Sequence, residues 1–367
     1  MRAVAIVPGQ GALHLAQRPD PPAPSAGQVL LRVLAVGICG TDREEAAGGR
    51  AKAPDGAADL VIGHEMVGAV VAAGAGVQRV AVGDHAVFTV RRGCGRCAPC
   101  AMNRPDMCLT GDYRERGIWG LDGYQTEHVL DNEQYLVRVA PELGLHGVLT
   151  EPTSVAEKAI TEAVRIQTSR LPQAGEHPDW LYGRRCLVAG LGPIGLLAAL
   201  ILRLRGAQVH GLDIVPESSA RPQWLIALGG QYLNGTKVKL DDLRDNTGGA
   251  ELIVEAAGIA SLSFSLLDAL APGGAYVLTG IPGGNRALEL SGAALIRRLV
   301  LNNQVMFGSV NAARDHYQMA VDDLHAGQLR WPGQLEKLLT HRHSPADFAT
   351  AFTAHPADEI KSFVAWS

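Results

Sequence analysis

The stretch Arg185-Cys186-Leu187-Val188-Ala189-Gly190-Leu191-Gly192-Pro193-Ile194-Gly195 decides the fold of this chain. Residues 186–189 are a short run apolar on both faces, as buried parallel strands are. Gly190, Gly192, Pro193, Ile194 and Gly195 then form G-x-G-x-x-G, and residues 194–205 read as a helix. Glycines between a strand and a helix allow a tight turn and close approach of the backbone to a pyrophosphate at the helix N-terminus. Asp213 stands 23 residues after Gly190, at the end of the next apolar run, 208–212. A carboxylate there accepts hydrogen bonds from the adenosine ribose hydroxyls and repels a 2′-phosphate, which favours NAD over NADP. Arg221 is close enough in sequence to assist a phosphate in the opposite case.

The same rhythm continues outward. Residues 224–228 read as part of a helix, 252–255 as a strand, 261–270 as a helix and 275–278 as a strand. Strands alternating with helices predict an α/β, doubly wound parallel sheet. A helical pattern through Val155, Ile160, Ala163, Val164 and Ile166 leads into it, followed by a connection at 171–183. Residues 1–150 are different. Strand candidates at 29–36, 66–72 and 86–90 are punctuated at short intervals by Gly, Asp and Pro, as in an irregular, barrel-like β domain. The expected division is therefore a mostly-β domain at 1–155, completed by a helix and strand within 306–367, and a dinucleotide domain at 156–305 with a leading helix.

A chain of 367 residues has room for two such domains, each with its own core. A net charge of −4 leaves no basic stripe of the kind that nucleic acid or anionic membranes require. The apolar stretch 195–204 is interrupted by Arg203, followed by Arg205, and is far short of a membrane span. The N-terminal apolar run ends at Pro8, too early for a signal peptide. These features predict a cytoplasmic protein with neither nucleic acid nor membrane as a partner.

Cys94, Cys97, Cys100 and Cys108 read as C-x2-C-x2-C-x7-C. Thiolates at this spacing can converge on one tetrahedral Zn²⁺ with no open position, a structural staple. Disulfides are the alternative reading, disfavoured in a reducing compartment. An iron–sulfur cluster is another, but Leu109, not Pro, follows Cys108. A second set differs in kind. Cys39 lies in Gly37-Ile38-Cys39-Gly40-Thr41-Asp42, and His64 and Glu65 in Gly63-His64-Glu65-Met66-Val67-Gly68. With Glu151 as third ligand, Cys39 and His64 would leave one zinc position open for substrate or water. Singly, Cys39 reads as a small buried hydrophobe, His64 as a core histidine and Glu151 as a helix-start acid. Beside a closed zinc lobe and a dinucleotide fold, the joint reading is preferred.

Gly63-His64-Glu65-x2-Gly68-x5-Gly74-x2-Val77, the four-cysteine lobe and the late G-x-G-x-x-G resemble the zinc-dependent medium-chain alcohol dehydrogenase superfamily. Cys39-Gly40-Thr41-Asp42, Val90-Arg91-Arg92-Gly93-Cys94, Arg116-Gly117-Ile118, Asp122-Gly123-Tyr124, Tyr135-Leu136-Val137 and Gly308-Ser309-Val310-Asn311 resemble, more narrowly, the archaeal-type glucose 1-dehydrogenase family. The resemblance covers nearly the whole chain. It implies a GroES-like, mostly-β catalytic domain with a structural zinc lobe at 92–110, and a Rossmann coenzyme domain. It also implies catalytic zinc on Cys39, His64 and Glu151 with Glu65 in or next to the shell, substrate contacts from Thr41, Glu115, Glu151 and Asn311, and a homo-oligomer, dimer or tetramer. Glu65 or Thr41 would pass a proton to solvent, and Asp42 would orient a ligand.

The implied reaction is zinc-dependent oxidation of an aldose, D-glucose or similar, at C1 to the aldonolactone, with hydride transfer to NAD, preferred, or NADP. Two features depart from the family. Val90 and Val155 stand where some members carry Asn and Asp to hold sugar hydroxyls, and Asp213-Ile214-Val215 stands where NADP-using members carry basic residues. Another secondary alcohol on the same machinery (a polyol, an amino-acid hydroxyl or a biosynthetic sugar intermediate) is the alternative substrate. A zinc-stapled nucleotide-binding protein without chemistry is the alternative class, and the intact Cys39, His64 and Glu151 set weighs against it.

Overall fold

The structure, a computed structural model, describes residues 1–171, 179–239, 242–283 and 287–366; residues 172–178 of the expected 171–183 connection lie outside these. The chain forms two compact units, Met1–Ser154 with Asn311–Ser367, and Val155–Val310.

In the first unit the strand Gln28–Gly37 is the hub. One edge pairs antiparallel with Glu65–Ala73; the other is shared between His128–Asn132 and Lys361–Ala365. Its burial alternates at first and becomes continuous from Val33 to Gly37, which is why Val33-Leu34-Ala35-Val36 is an unbroken apolar run. Register shifts between Leu30 and Leu31 and between Val33 and Ala35 mark irregularities that add twist as the strand approaches Gly37. His85–Phe88 and Leu136–Val139 extend this sheet on one side, and Leu339–His343 on the other. Val4, Ile6, Leu31, Val33, Met66, Phe88, Tyr124, Phe352 and Val364 share its core. The strand expected at 86–90 stops at Phe88, because Arg91–Arg92 leaves to pair with Arg114–Arg116 in a separate small sheet. A hairpin of Arg2–Val7 and Ala12–Gln17, unanticipated from sequence, carries Leu60–Val61 on its free edge.

The second unit is a six-stranded parallel sheet in the order Gln231–Asn234, Gln208–Asp213, Arg185–Ala189, Ala250–Glu255, Leu270–Leu278, Val305–Gly308. The order reverses at Arg185–Ala189, the switch point of a doubly wound sheet, where ligands bind at the carboxyl ends of the strands. The helix expected at 261–270 is shorter: Ala260–Ser265 gives way to a tighter turn at Leu266–Ala269, and Leu270 already opens the next strand. The return expected at 306 falls later, since Val305–Gly308 pairs parallel with Leu270–Leu278 and so remains in this sheet. The leading helix, Thr150–Arg170, starts earlier than its apolar pattern, because Pro152 is tolerated in a first turn. No helix among the described residues is long and apolar enough to cross a membrane.

Candidate active site

Antiparallel pairing brings the first site together. Gly37 and Glu65 are cross-strand partners, and a side chain on Gly37 would collide with the Glu65 carboxylate, so the glycine makes room for the acid. Two residues on, Cys39 caps the short helix Gly40–Ala46, and its backbone N–H donates to Asp42 Oδ2 at 2.8 Å. His64 immediately precedes Glu65–Ala73. Ligand atoms of Cys39, His64 and Glu65 therefore lie within 4.8 Å of one another. His64 and Glu65 are 4% and 1% exposed. Asp42 Oδ1 sits 3.4 Å from His64 Nδ1, too long for a good hydrogen bond. Burial pulls the His64 imidazole down, but the Asp42 carboxylate and the Cys39 sulfur hold it well above its ordinary range.

Glu151, in the first turn of Thr150–Arg170, does not join that group of mutually close ligand atoms. It nevertheless belongs to the same electrostatic neighbourhood. Burial pushes its carboxyl up to about 7, with His64 and Lys361 opposing and Glu65 and Asp42 reinforcing. Thr41 is half-buried, two residues beyond Cys39. Glu115 and Asn311 form a separate pair: Asn311 Nδ2 donates to Glu115 Oε1 at 2.7 Å, and Asn311 holds a left-handed backbone, φ 63°.

Two buried groups escaped the sequence. Lys361, 2% exposed, opens the strand Lys361–Ala365 and donates from Nζ to Glu65 Oε1 at 2.6 Å. Burial lowers its ammonium, and the charges of Glu65 and Cys39 more than reverse that, leaving it above its usual value. The only signal was one cation leading an apolar strand. Glu45 lies one turn after Asp42 on the same short helix, with neither carboxylate oxygen hydrogen-bonded to a described residue. Burial, then the Asp42 charge, pushes its carboxyl up to about 9.

The four remaining thiols of the first unit converge as well. Cys94, Cys97, Cys100 and Cys108 are mutually within 4.8 Å, with Cys94 and Cys100 sulfurs 3.9 Å apart. A tetrahedral site with metal–sulfur bonds of about 2.3 Å separates its sulfurs by about 3.8 Å, so the lobe fits zinc. None of the six cysteines is in a disulfide. Hydrogen bonds from Thr110 and from backbone N–H groups of residues 96 and 97 draw the Cys94 thiol down, while burial and its cysteine neighbours push the Cys100 thiol up. The Cys39, His64 and Glu65 set also fits zinc, offering sulfur, nitrogen and oxygen donors without a closed fourth position.

In the second unit Gly190 and Gly195 are required for different reasons, and Gly192 leaves space. Gly190 has φ 87°, and a Cβ there would meet the Ala257 nitrogen at 2.7 Å. A Cβ on Gly195 would run into the Gly190 carbonyl, where the helix Pro193–Leu204 packs on its strand. Gly192 caps that helix, and a Cβ there would meet nothing within 4 Å. It opens onto free space at the helix N-terminus, a cradle suited to a pyrophosphate. Asp213 ends Gln208–Asp213 beside this turn; its Oδ2 accepts from the Leu191 N–H at 2.8 Å and its Oδ1 from the Ile214 N–H at 2.6 Å.

Residues 25–141 match the alcohol dehydrogenase GroES-like domain family, and residues 144–366 the glucose dehydrogenase C-terminus family. The glucose 1-dehydrogenase of Methanocella arvoryzae is 38% identical over 343 residues, 93% of either chain. That of Thermoproteus tenax is 39% identical over 345 residues, 93% of this chain and 92% of the relative. Haloferax mediterranei glucose dehydrogenase, solved in complex with NADP, Zn and gluconolactone, matches with a TM-score of 0.88 at 31% identity, covering 100% of this chain and 99% of that one. Fold and matches together define a zinc-type medium-chain dehydrogenase, an NAD(P)-dependent oxidoreductase. Within that class, the chain belongs to the glucose 1-dehydrogenase family.

Proposed function

We propose that the protein oxidises D-glucose, or a close aldose such as D-galactose or D-xylose, at C1 to the aldonolactone, with NAD preferred over NADP as hydride acceptor. The convergence of Cys39, His64 and Glu65, with Glu151 beside them, carries this reading. Cys39, His64 and Glu151 hold the catalytic zinc, and Glu65, engaged by Lys361, stays next to it. Zinc bound there supplies Lewis acidity that makes a hydroxyl proton easier to lose. Asp42 orients His64, and the Thr41 hydroxyl or Glu65 relays the proton outward. Glu115 and Asn311 bind sugar hydroxyls, and the four-cysteine lobe holds a second, structural zinc. A screen of aldoses and polyols, followed as NADH absorbance, tests the reading. Turnover of an aldose is expected; turnover of linear polyols alone would keep the zinc and hydride chemistry and refute the sugar.

NAD preference rests on Asp213, whose carboxylate borders the Gly190–Gly192 turn. A 2′-phosphate brought there would face that charge with little to screen it. Asp213→Ser combined with Ile214→Arg should therefore shift the kcat/KM ratio towards NADP by about tenfold to a hundredfold, or about 1.4–2.8 kcal/mol. A wild type that already prefers NADP would overturn the assignment and turn attention to Arg221.

The protein is further proposed to act in the cytoplasm as a homo-oligomer, dimer or tetramer. Five of the six cysteines proposed as zinc ligands, with none in a disulfide, suit a reducing compartment. Among the described residues Val305–Gly308 is an edge strand, and Ile296, Val300 and Leu301 are exposed on the neighbouring helix in sequence, Gly292–Leu301. An open sheet edge and exposed apolar side chains each favour self-association.

A further inference from the structure

The tandem Arg91-Arg92 sends its two guanidinium groups to different tasks. Successive residues of a strand point to opposite faces, and Arg92 joins Arg116 on Asp131 at 2.6 and 2.7 Å. Arg91 instead faces Glu115, its cross-strand partner. Both are buried, 7% and 3% exposed. Arg91 Nε and Nη2 donate to Glu115 Oε1 at 3.1 and 2.9 Å, and Arg91 Nη1 donates to the main-chain carbonyl of Asp106 at 3.0 Å. Asn311 Nδ2 donates to that same Glu115 oxygen. Three donors thus converge on Oε1, and no described residue donates to Oε2.

The other end of this chain of contacts is the four-cysteine lobe. Asp106 lies in the turn Pro105–Met107, between Cys100 and Cys108, and its carboxylate is gripped by Arg104 Nε and Nη2 at 2.9 and 2.8 Å. The Arg91 guanidinium also lies over the Tyr113 ring, 4.1 Å from its centre. One planar fork therefore bridges the lobe backbone and a buried carboxylate whose second oxygen is left available.

We propose that Arg91 is a positioning residue for sugar recognition. It immobilises Glu115 through Oε1, so that Oε2 is presented to a substrate hydroxyl, and it ties that carboxylate to the four-cysteine lobe. The proposal rests on the reading of Glu115 and Asn311 as sugar contacts. Its physical basis is preorganisation: a carboxylate already fixed loses less conformational freedom when the sugar binds. Lysine cannot take over the role, because a single ammonium lacks the rigid fork that reaches Glu115 and the Asp106 carbonyl together.

The test compares Arg91→Lys, Arg91→Met, Glu115→Ala and Arg91→Met/Glu115→Ala on D-glucose and on deoxyglucoses lacking one hydroxyl each. Glu115→Ala should raise KM for glucose about tenfold or more, the effect of leaving a buried polar partner unmet. Arg91→Met should raise it comparably, with kcat and the KM for NAD changed by no more than about threefold, and the double variant should match Glu115→Ala alone. For the deoxyglucose on which Glu115→Ala has no effect, Arg91→Met should have none. Circular dichroism and NAD titration by fluorescence verify folding. Should Arg91→Met not fold, Arg91→Lys carries the same comparison with the charge retained. An unchanged glucose KM in the Arg91 variants, with Glu115→Ala still impaired, overturns the positioning role. So does a double variant whose losses multiply. If Glu115→Ala itself leaves KM unchanged for every sugar, the sugar-contact reading falls and this proposal with it.

Discussion

Cys39→Ala should lower kcat/KM for the aldose by about a thousandfold or more and leave a folded protein with about one zinc fewer per chain. The loss corresponds to about 4 kcal/mol of transition-state stabilisation, a reasonable share for a Lewis acid at the reacting oxygen. Folding should survive because Cys39 lies two residues beyond a strand, Gln28–Gly37, that is already paired on both edges by Glu65–Ala73 and Lys361–Ala365, and because the Asp42 carboxylate still accepts the residue 39 N–H. Cys97→Ala should do the opposite. The lobe between Cys94 and Cys108 has only a four-residue helix and a three-residue turn of its own, with no buried residue in that helix. Metal binding in such a segment is folding free energy, so loss of one ligand should lower Tm and expose the lobe to protease. Two zinc ions in the wild type, one retained in Cys39→Ala, is the expected analysis. A single zinc in a fully active wild-type chain would refute the division of roles.

What the sequence disclosed follows the distance over which each feature is encoded. Gly190, Gly192 and Gly195 act within six consecutive residues, and the lobe cysteines within a short loop, so spacing alone carries both. Cys39 and His64 are brought together by the Gly37–Glu65 pairing, which no local periodicity reveals; they became legible by chemistry and by resemblance. Lys361 and Glu65 are 296 residues apart, and a lone lysine before Ser362-Phe363-Val364 reads as an ordinary strand end. Arg91 belongs to a motif that carries the family resemblance, but its bond to Glu115 depends on a two-residue strand too short to recognise. Boundaries failed where turn residues sit inside regular structure: Pro272-Gly273-Gly274 reads as a loop, yet it lies within Leu270–Leu278.

Lys361→Met should destabilise the metal-free protein severely and inactivate the zinc-loaded one by a separate route. Glu65 and Lys361 are each almost fully buried, and removing one partner of such a pair costs about 3–5 kcal/mol because the other charge is left unmet. In the metal-free chain the Glu65 carboxylate would then face Cys39, Asp42 and Glu151 without the ammonium it is hydrogen-bonded to, so Tm in chelator should fall clearly. With zinc supplied, the freed Glu65 gains a better partner in the metal itself, since its oxygen already lies within 4.8 Å of the Cys39 and His64 donors. Thermal stability should then largely recover on zinc addition while activity does not, as a carboxylate in the open position excludes substrate. Replacing both partners, Lys361→Met with Glu65→Leu, separates the two effects: the metal-free Tm should return towards wild type, because an apolar pair of similar volume removes the desolvation penalty along with the charges. An unaltered Tm in chelator for Lys361→Met would mean that the pair contributes nothing to the fold, and unaltered kcat/KM that Lys361 does not keep Glu65 off the metal.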